Sequence, residues 1–313
     1  MSGSAIFNKR GGIPGQFSDW LFRRPTHFLV LMFIPPLLWL GVVYIGSLFA
    51  LLAQSFFSID EFSGFVVYEP TLSTFKQLLQ PANLDVILRT VVMAAAVTVA
   101  SAIIAYPLAY FAARYAKGKW KALFYFLIML PLWSSYLVKV YSWKLILARE
   151  GIVSWVMAKL HLTWALEALL SAPVIGGPSL STSYIGTFVV FIYIWIPYMI
   201  LPTQAALERV PVNLIEASAD LGGNPAQTFR HVLWPLALPG LVAGSIFTFS
   251  LTLGDYIVPQ VIGSSTQFIG NAVYSQQGTA GNIPLAAAFT IVPIVIMLVY
   301  LTIAKRMGAF DAL

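Results

Sequence analysis

Six apolar runs constrain this chain more than any other feature. They cover roughly residues 27–57, 86–113, 122–147, 183–201, 236–258 and 284–304. Each is near or above the ~20 residues that a helix needs to cross a bilayer. Only 10% of the 313 residues are charged and 59% are hydrophobic. A soluble domain carries about 25% charged residues. The sequence therefore predicts an all-α, polytopic membrane protein with six transmembrane helices, since a spanning helix satisfies its own backbone in lipid.

Polar punctuation divides the rest. Residues 1–26 form a glycine-rich leader with Lys9, Arg10, Arg23 and Arg24, followed by one transmembrane domain over 27–313. The leader does not resemble a cleaved signal, because it is polar and the apolar run after it is too long. Pro35-Pro36 predicts a kink near the start of span one. A short amphipathic helix is expected near 153–162 within the mixed loop 148–182.

An even number of spans places both termini on one side. Basic residues on that side are Lys9, Arg10, Arg23, Arg24, Arg114, Lys117, Lys119, Lys121, Arg209, Arg230, Lys305 and Arg306, which makes 12. The opposite side has Lys76, Arg89, Lys139, Lys144, Arg149 and Lys159, which makes 6. The excess predicts that both termini, and the connection between spans four and five, are cytoplasmic. The net charge of +6 reads as topology and not as nucleic-acid binding.

Enzymatic readings find no support. The three histidines, His27, His161 and His231, are not in mid-span, and cysteine is absent. A Ser–His dyad, a His-ligated metal and a thiolate site therefore have no partners. No GxxxxGK[ST] phosphate loop occurs. No cofactor is expected in this chain.

The longest polar interruption in the second half is the stretch 208–239. Its punctuation predicts two short helices. Pro211 suits a first helical turn, Gly222-Gly223 a left-handed C-terminus, and Asn224-Pro225 an N-cap with proline behind it. Ala217, Ser218, Ala219, Gly222 and Gly223 give a surface that another backbone could approach closely. Glu216 and Asp220, four apart, repel mildly unless a partner places a basic group between them. On these residues alone, a solvated amphipathic loop helix explains the stretch equally well.

The run Glu216-Ala217-Ser218-Ala219-Asp220-Leu221-Gly222, followed by Phe229, Val232, Pro235-Leu236 and Pro239-Gly240, resembles the EAA loop of ABC importer permeases. The family usually has Ala where this chain has Ser218, a small-for-small change. Tyr106-Pro107-Leu108-Ala109-Tyr110, the run LPLWSSYLVKVYSW at 130–143, and Gly254-Asp255-Tyr256-Ile257-Val258-Pro259 with Ile262-Gly263 resemble spermidine/putrescine permease subunits in particular. That subfamily often has Arg at the position of Lys139.

This resemblance implies a type I ABC importer permease fold in a bacterial cytoplasmic (inner) membrane. It also implies a coupling loop over 206–235 that docks on an ATPase through Glu216, Ala217, Ser218, Asp220, Leu221, Gly222 and Phe229. The implied partners are a second permease subunit, two ATP-binding subunits that hold ATP-Mg, an extracytoplasmic solute-binding protein and membrane lipid. A polyamine is the implied solute. An opine, phosphonate or ferric-complex importer would share the loop, and an ion-gradient-driven secondary carrier is the rival from another class. Such a carrier wants several intramembrane acids or broken-helix repeats.

Of the twelve acids, only Asp255 falls inside a predicted span. A charge there costs about 2.5–3.5 kcal/mol on insertion scales and usually faces a water-filled path or a partner. With Tyr256, Trp133, Tyr136 and Tyr141 it forms a candidate path for a cation. The competing reading pairs Asp255 with Lys139 or Lys144 and makes the aromatics packing or an interface belt. Gly240 and Gly244 form a small-xxx-small pattern that predicts close helix packing, within the chain or against a second subunit.

Overall fold

The structure, a computed structural model, describes residues 24–60, 62–264 and 267–309. Nearly all of the expected leader lies outside these residues. The chain divides into two units, residues 1–54 and 55–313.

In the first unit, α1 (Pro25–Leu38) continues through a π-helical stretch, Trp39–Ile45, into α2 (Gly46–Gln54). Pro35 and Pro36 lie inside α1. They remove two backbone donors, and the disturbance expected of them takes the form of the widened turn that follows. Residues Phe28–Gln54 are long and apolar enough to cross a membrane.

The second unit opens with a two-residue antiparallel pair, β1 (Ser58–Ile59) and β2 (Val66–Val67), and a short helix, α3 (Ser73–Leu78). Span two is α4 (Pro81–Arg114), 34 residues long. Pro81 starts it, because a proline in the first turn gives up an N–H that has no helical partner anyway.

Span three differs from the expectation of one run over 122–147. It consists of α5 (Gly118–Trp133) and α6 (Tyr136–Ile146), which meet at 97°. Ser134 and Ser135 are extended between them. The carbonyl of Pro131, orphaned by the end of α5, accepts from Ser134 Oγ at 2.9 Å and from Lys139 Nζ at 2.7 Å. A cation from the next helix thus caps the negative end of α5 and sets the corner.

The expected short helix is α7 (Ile152–Lys159), and α8 (Thr163–Leu170) follows it. Span four is α9 (Tyr184–Arg209), which runs through Pro197 and Pro202 beyond its expected end. Ser183 caps it by accepting from the Gly186 N–H at 3.1 Å. After α10 (Val212–Asp220) comes α11 (Pro225–Thr228), then a π-helical stretch, Phe229–Leu233, and span five, α12 (Trp234–Gly254). The chain ends in α13 (Ile257–Val261), α14 (Ile269–Gly278) and span six, α15 (Ile283–Arg306). Among the described residues, five helices are long and apolar enough to cross a membrane, and the bent pair makes a sixth crossing if it counts as one span.

The core of this unit is α4, α9 and α12. Ala105 and Ala109 of α4 pack with Met199 and Leu207 of α9 and with Ala237 and Leu241 of α12. Toward the other end, Val97 and Ile194 meet Val140 of α6 and Val258 and Ile262 of the α13 region. The small-xxx-small pattern is used within the chain. A Cβ on Gly240 would meet the Ala206 side chain and sit 2.6 Å from the Pro202 carbonyl oxygen, and one on Gly244 would be 3.0 Å from Met199 Cα. Close backbone approach is how helices associate where burial of apolar surface offers no gain over lipid.

Candidate functional site

Two places carry the candidate residues: the connection between spans four and five, and the far end of span five.

In the connection, Pro211 is extended and stands just before α10 instead of inside its first turn. None of the side chains of α10 is buried. Glu216, Ala217 and Asp220 are exposed, and Leu221 is 90% exposed. Gly222 has φ +78°, the left-handed conformation expected of it, and a Cβ there would meet nothing within 4 Å. Gly223 is needed for a different reason, since its Cβ would sit 2.7 Å from the Ser218 carbonyl oxygen.

The second short helix starts as the sequence predicts. Asn224 Oδ1 accepts from the Gln227 N–H and Gln227 Oε1 accepts from the Asn224 N–H, both at 2.9 Å, which forms a capping box. The sequence suggests an end near Trp234, but the helix does not stop there. It continues through the π-helical stretch into span five, with Pro235 accommodated in the first turn of α12.

Ser218 and Phe229 both make contacts within the chain, although Phe229 stays 41% exposed. Ser218 Oγ is 2.9 Å from Thr228 Oγ1, which ties α10 to α11. The Phe229 ring packs edge-on against Tyr106 of span two, with centroids 5.5 Å apart, and tilts against Trp234 at 6.0 Å.

At the far end, Asp255 lies outside span five. α12 ends at Gly254, and Asp255 takes an extended conformation as the next residue. Its Oδ1 accepts from the backbone N–H groups of Ile257 (2.8 Å) and Val258 (3.1 Å), which caps the turn into α13. Its Oδ2 accepts from the Tyr136 hydroxyl. The expected alternative, an ion pair with Lys139 or Lys144, is overturned. Lys139 donates to Pro131, and among the described residues no cation pairs with Asp255.

Of the other four path candidates, only Tyr136 is drawn to the acid. Tyr256 stacks on Tyr274 with centroids 5.3 Å apart and planes at 11°. Trp133 is 78% exposed, and Tyr141 is exposed as well. The chain adds two aromatics that sequence spacing does not single out. The Trp195 ring stacks on Tyr136 at 5.8 Å, and Tyr198 leans on Trp195 at 5.9 Å. Their common face appears only once span four packs beside α6. Among the described residues, no group of three or more His, Cys, Asp or Glu side chains could hold a metal ion.

Comparisons with known proteins follow this geometry. A family profile described as binding-protein-dependent transport system inner membrane component matches residues 105–309. The inner membrane ABC transporter permease protein YdcU of Escherichia coli (strain K12) is 56% identical over 299 residues, covering 96% of each chain. The spermidine/putrescine transport system permease protein PotB of Haemophilus influenzae is 28% identical over 256 residues, covering 82% of this chain and 85% of that one. Among solved structures, a bacterial ABC transporter involved in the import of the acidic polysaccharide alginate aligns with TM-score 0.66 and 15% identity. The alignment covers 93% of this chain and 98% of that one, a likeness of fold alone.

Proposed function

This chain belongs to the family of inner membrane components of binding-protein-dependent transport systems, and from that premise we propose that it forms half of the translocation path for a small cationic solute, a polyamine such as spermidine or putrescine. It is an ABC importer permease subunit of the inner membrane, a transport subunit and not an enzyme. In the proposed assembly a second permease subunit completes the path. Two ATP-binding subunits, which hold ATP-Mg, dock on the loop 206–235 from the cytoplasm. An extracytoplasmic binding protein delivers the solute at the opposite face. Both termini are cytoplasmic, as the basic-residue asymmetry favours.

The observation that carries the cationic reading is the Asp255 carboxylate. It is held in place by two backbone N–H groups and the Tyr136 hydroxyl, yet among the described residues no cation pairs with it. The stacked Tyr136–Trp195 pair beside it offers π-faces to an ammonium group. The spermidine/putrescine permease PotB supports the same sign of charge at modest identity. The fold does not choose that sign, because a transporter of similar fold takes part in importing an acidic polysaccharide.

The test is ATP-dependent uptake by the assembled importer in proteoliposomes supplied with its binding protein. Saturable uptake of labelled spermidine or putrescine is expected. Uptake of an anionic solute such as a phosphonate, with neither polyamine imported nor competing, overturns the reading.

A further inference from the structure

The end of span four is gripped from two sides just before α10 begins. Arg114, the last residue of α4, donates Nη2 to the carbonyl oxygens of Leu207 (3.0 Å) and Val210 (2.8 Å). A helix leaves its last carbonyls without helical partners, and a cation complements that end. Val210 is already extended, with ψ 117°. One guanidinium therefore holds both the last helical turn and the first residue beyond it.

α5 reaches the same turn. Lys121 Nζ lies 2.8 Å from Glu208 Oε1, and the Tyr125 hydroxyl donates to that oxygen at 3.2 Å. Gln204, one turn earlier and 1% exposed, donates to the Tyr125 hydroxyl at 2.7 Å and to Glu208 Oε1 at 3.1 Å. One carboxylate oxygen thus gathers three donors from two helices.

The two ends of the loop are joined to the bundle differently. At its far end, α11 runs into span five as one helical path, so a displacement there moves span five directly. At its near end, α10 is separated from α9 by extended residues, Val210 and Pro211. A displacement of α10 reaches the ends of spans two and three through the contacts on Leu207, Glu208 and Val210.

We propose that Arg114, Lys121 and Glu208 are positioning residues that transmit movement of α10 to spans two and three during the transport cycle. The inference rests on the reading that α10 docks on the ATP-binding subunit. The Lys121–Glu208 pair suits such a role, because both side chains are about one-third exposed and the contact can break and re-form without stranding a buried charge.

Charge reversal tests it in the reconstituted importer with its ATP-binding subunits and binding protein. The variants are Lys121→Glu, Glu208→Lys and the double exchange, with Lys121→Met and Glu208→Gln as milder versions if a reversal blocks insertion. Each single variant is expected to keep normal membrane yield and to co-purify the ATP-binding subunit. Stimulation of ATP hydrolysis by the binding protein should fall by about three- to tenfold, the scale of a partly exposed ion pair within a network. The exchange should restore it to within about twofold. Parental stimulation in the single variants overturns the proposal, and so does an exchange variant that stays as poor as either single. Failure of the docking reading shows separately, as an ATP-binding subunit that co-purifies undiminished with a Leu221→Asp chain.

Discussion

The Ser218 and Thr228 hydroxyls lie 2.9 Å apart, one on α10 and the other at the end of α11, so Ser218 points into the loop while Leu221 points out of it. The two residues belong to one stretch of small side chains, yet they should respond oppositely to substitution. Ser218→Ala removes one hydrogen bond, a loss of about 0.5–1.5 kcal/mol carried by the loop itself. Leu221→Asp removes an apolar side chain whose burial against a partner is worth about 1.5–3 kcal/mol. Affinity for the ATP-binding subunit, measured by titration in detergent, should stay within about threefold for Ser218→Ala. It should fall at least about tenfold for Leu221→Asp.

The adjacent glycines make a second contrast. At Gly222 the constraint is the backbone alone, φ +78° with open space around a Cβ. Asn adopts that conformation more readily than other residues, whereas a β-branched side chain there is strained by about 1–2 kcal/mol. Gly222→Asn should therefore preserve association with the ATP-binding subunit, and Gly222→Val should weaken it at normal membrane yield. At Gly223 the obstacle is Ser218, whose carbonyl oxygen and Oγ would lie 2.7 and 2.8 Å from a Cβ. Gly223→Ala and Gly223→Asn should both weaken association, a pattern distinct from Gly222. Equal tolerance at the two positions counts against this division.

These loop features are legible in the sequence because each is local. A left-handed glycine, an N-cap and a proline behind it act within a few residues, and Gly222, Asn224 and Pro225 sit where the sequence places them. The spans are legible for a similar reason, since hydropathy reports length. The corner at Ser134-Ser135 is not legible. The apolar run continues through it, and the groups that set it, Lys139 and Ser134 on the Pro131 carbonyl, carry no hydropathy signature. Asp255 is misplaced by the same averaging, which reads across Gly254 and misses that the helix has ended. The stacking of Trp195 on Tyr136 joins residues 59 positions apart and depends wholly on tertiary packing.

Topology can be read with single cysteines, because the chain has none of its own. Ala226 and Gln267 are both exposed, and neither side chain makes a structural contact that cysteine would remove. Ala226 is preferable to Gln227, whose side chain completes the capping box. In spheroplasts, a membrane-impermeant maleimide should label Gln267→Cys at once and Ala226→Cys only after permeabilisation. The reverse pattern would invert the proposed orientation.

Lys139 should behave as a corner residue and not as a partner of Asp255. Lys139→Met leaves Ser134 on the Pro131 carbonyl but removes the charged donor, at about 1–3 kcal/mol. In a chain of this size that amounts to a few degrees in thermal midpoint. Combining it with Asp255→Asn should give the sum of the separate shifts, because the two side chains share no contact. A double variant more stable than Lys139→Met alone would reinstate the ion pair.

Asp255→Asn is the decisive substitution for the solute path, because the local bonding allows the amide to keep the shape of the acid. Oδ1 of an asparagine can still accept from the Ile257 and Val258 N–H groups, and Nδ2 can donate to the Tyr136 hydroxyl, which is able to accept as well as donate. The cap on α13 therefore survives and membrane yield should be normal, while the negative charge is lost. Unit charges about 4 Å apart attract by about 4 kcal/mol at an effective dielectric of 20. Desolvation of the carboxylate removes much of this, which leaves a net effect of about 1–2 kcal/mol, or about five- to thirtyfold in apparent affinity for a polyamine. Asp255→Ala should do worse than Asp255→Asn on yield, because it removes the cap along with the charge. Spermidine transport with parental kinetics by Asp255→Asn at normal yield would leave this residue a cap alone and remove the main support for a cationic solute.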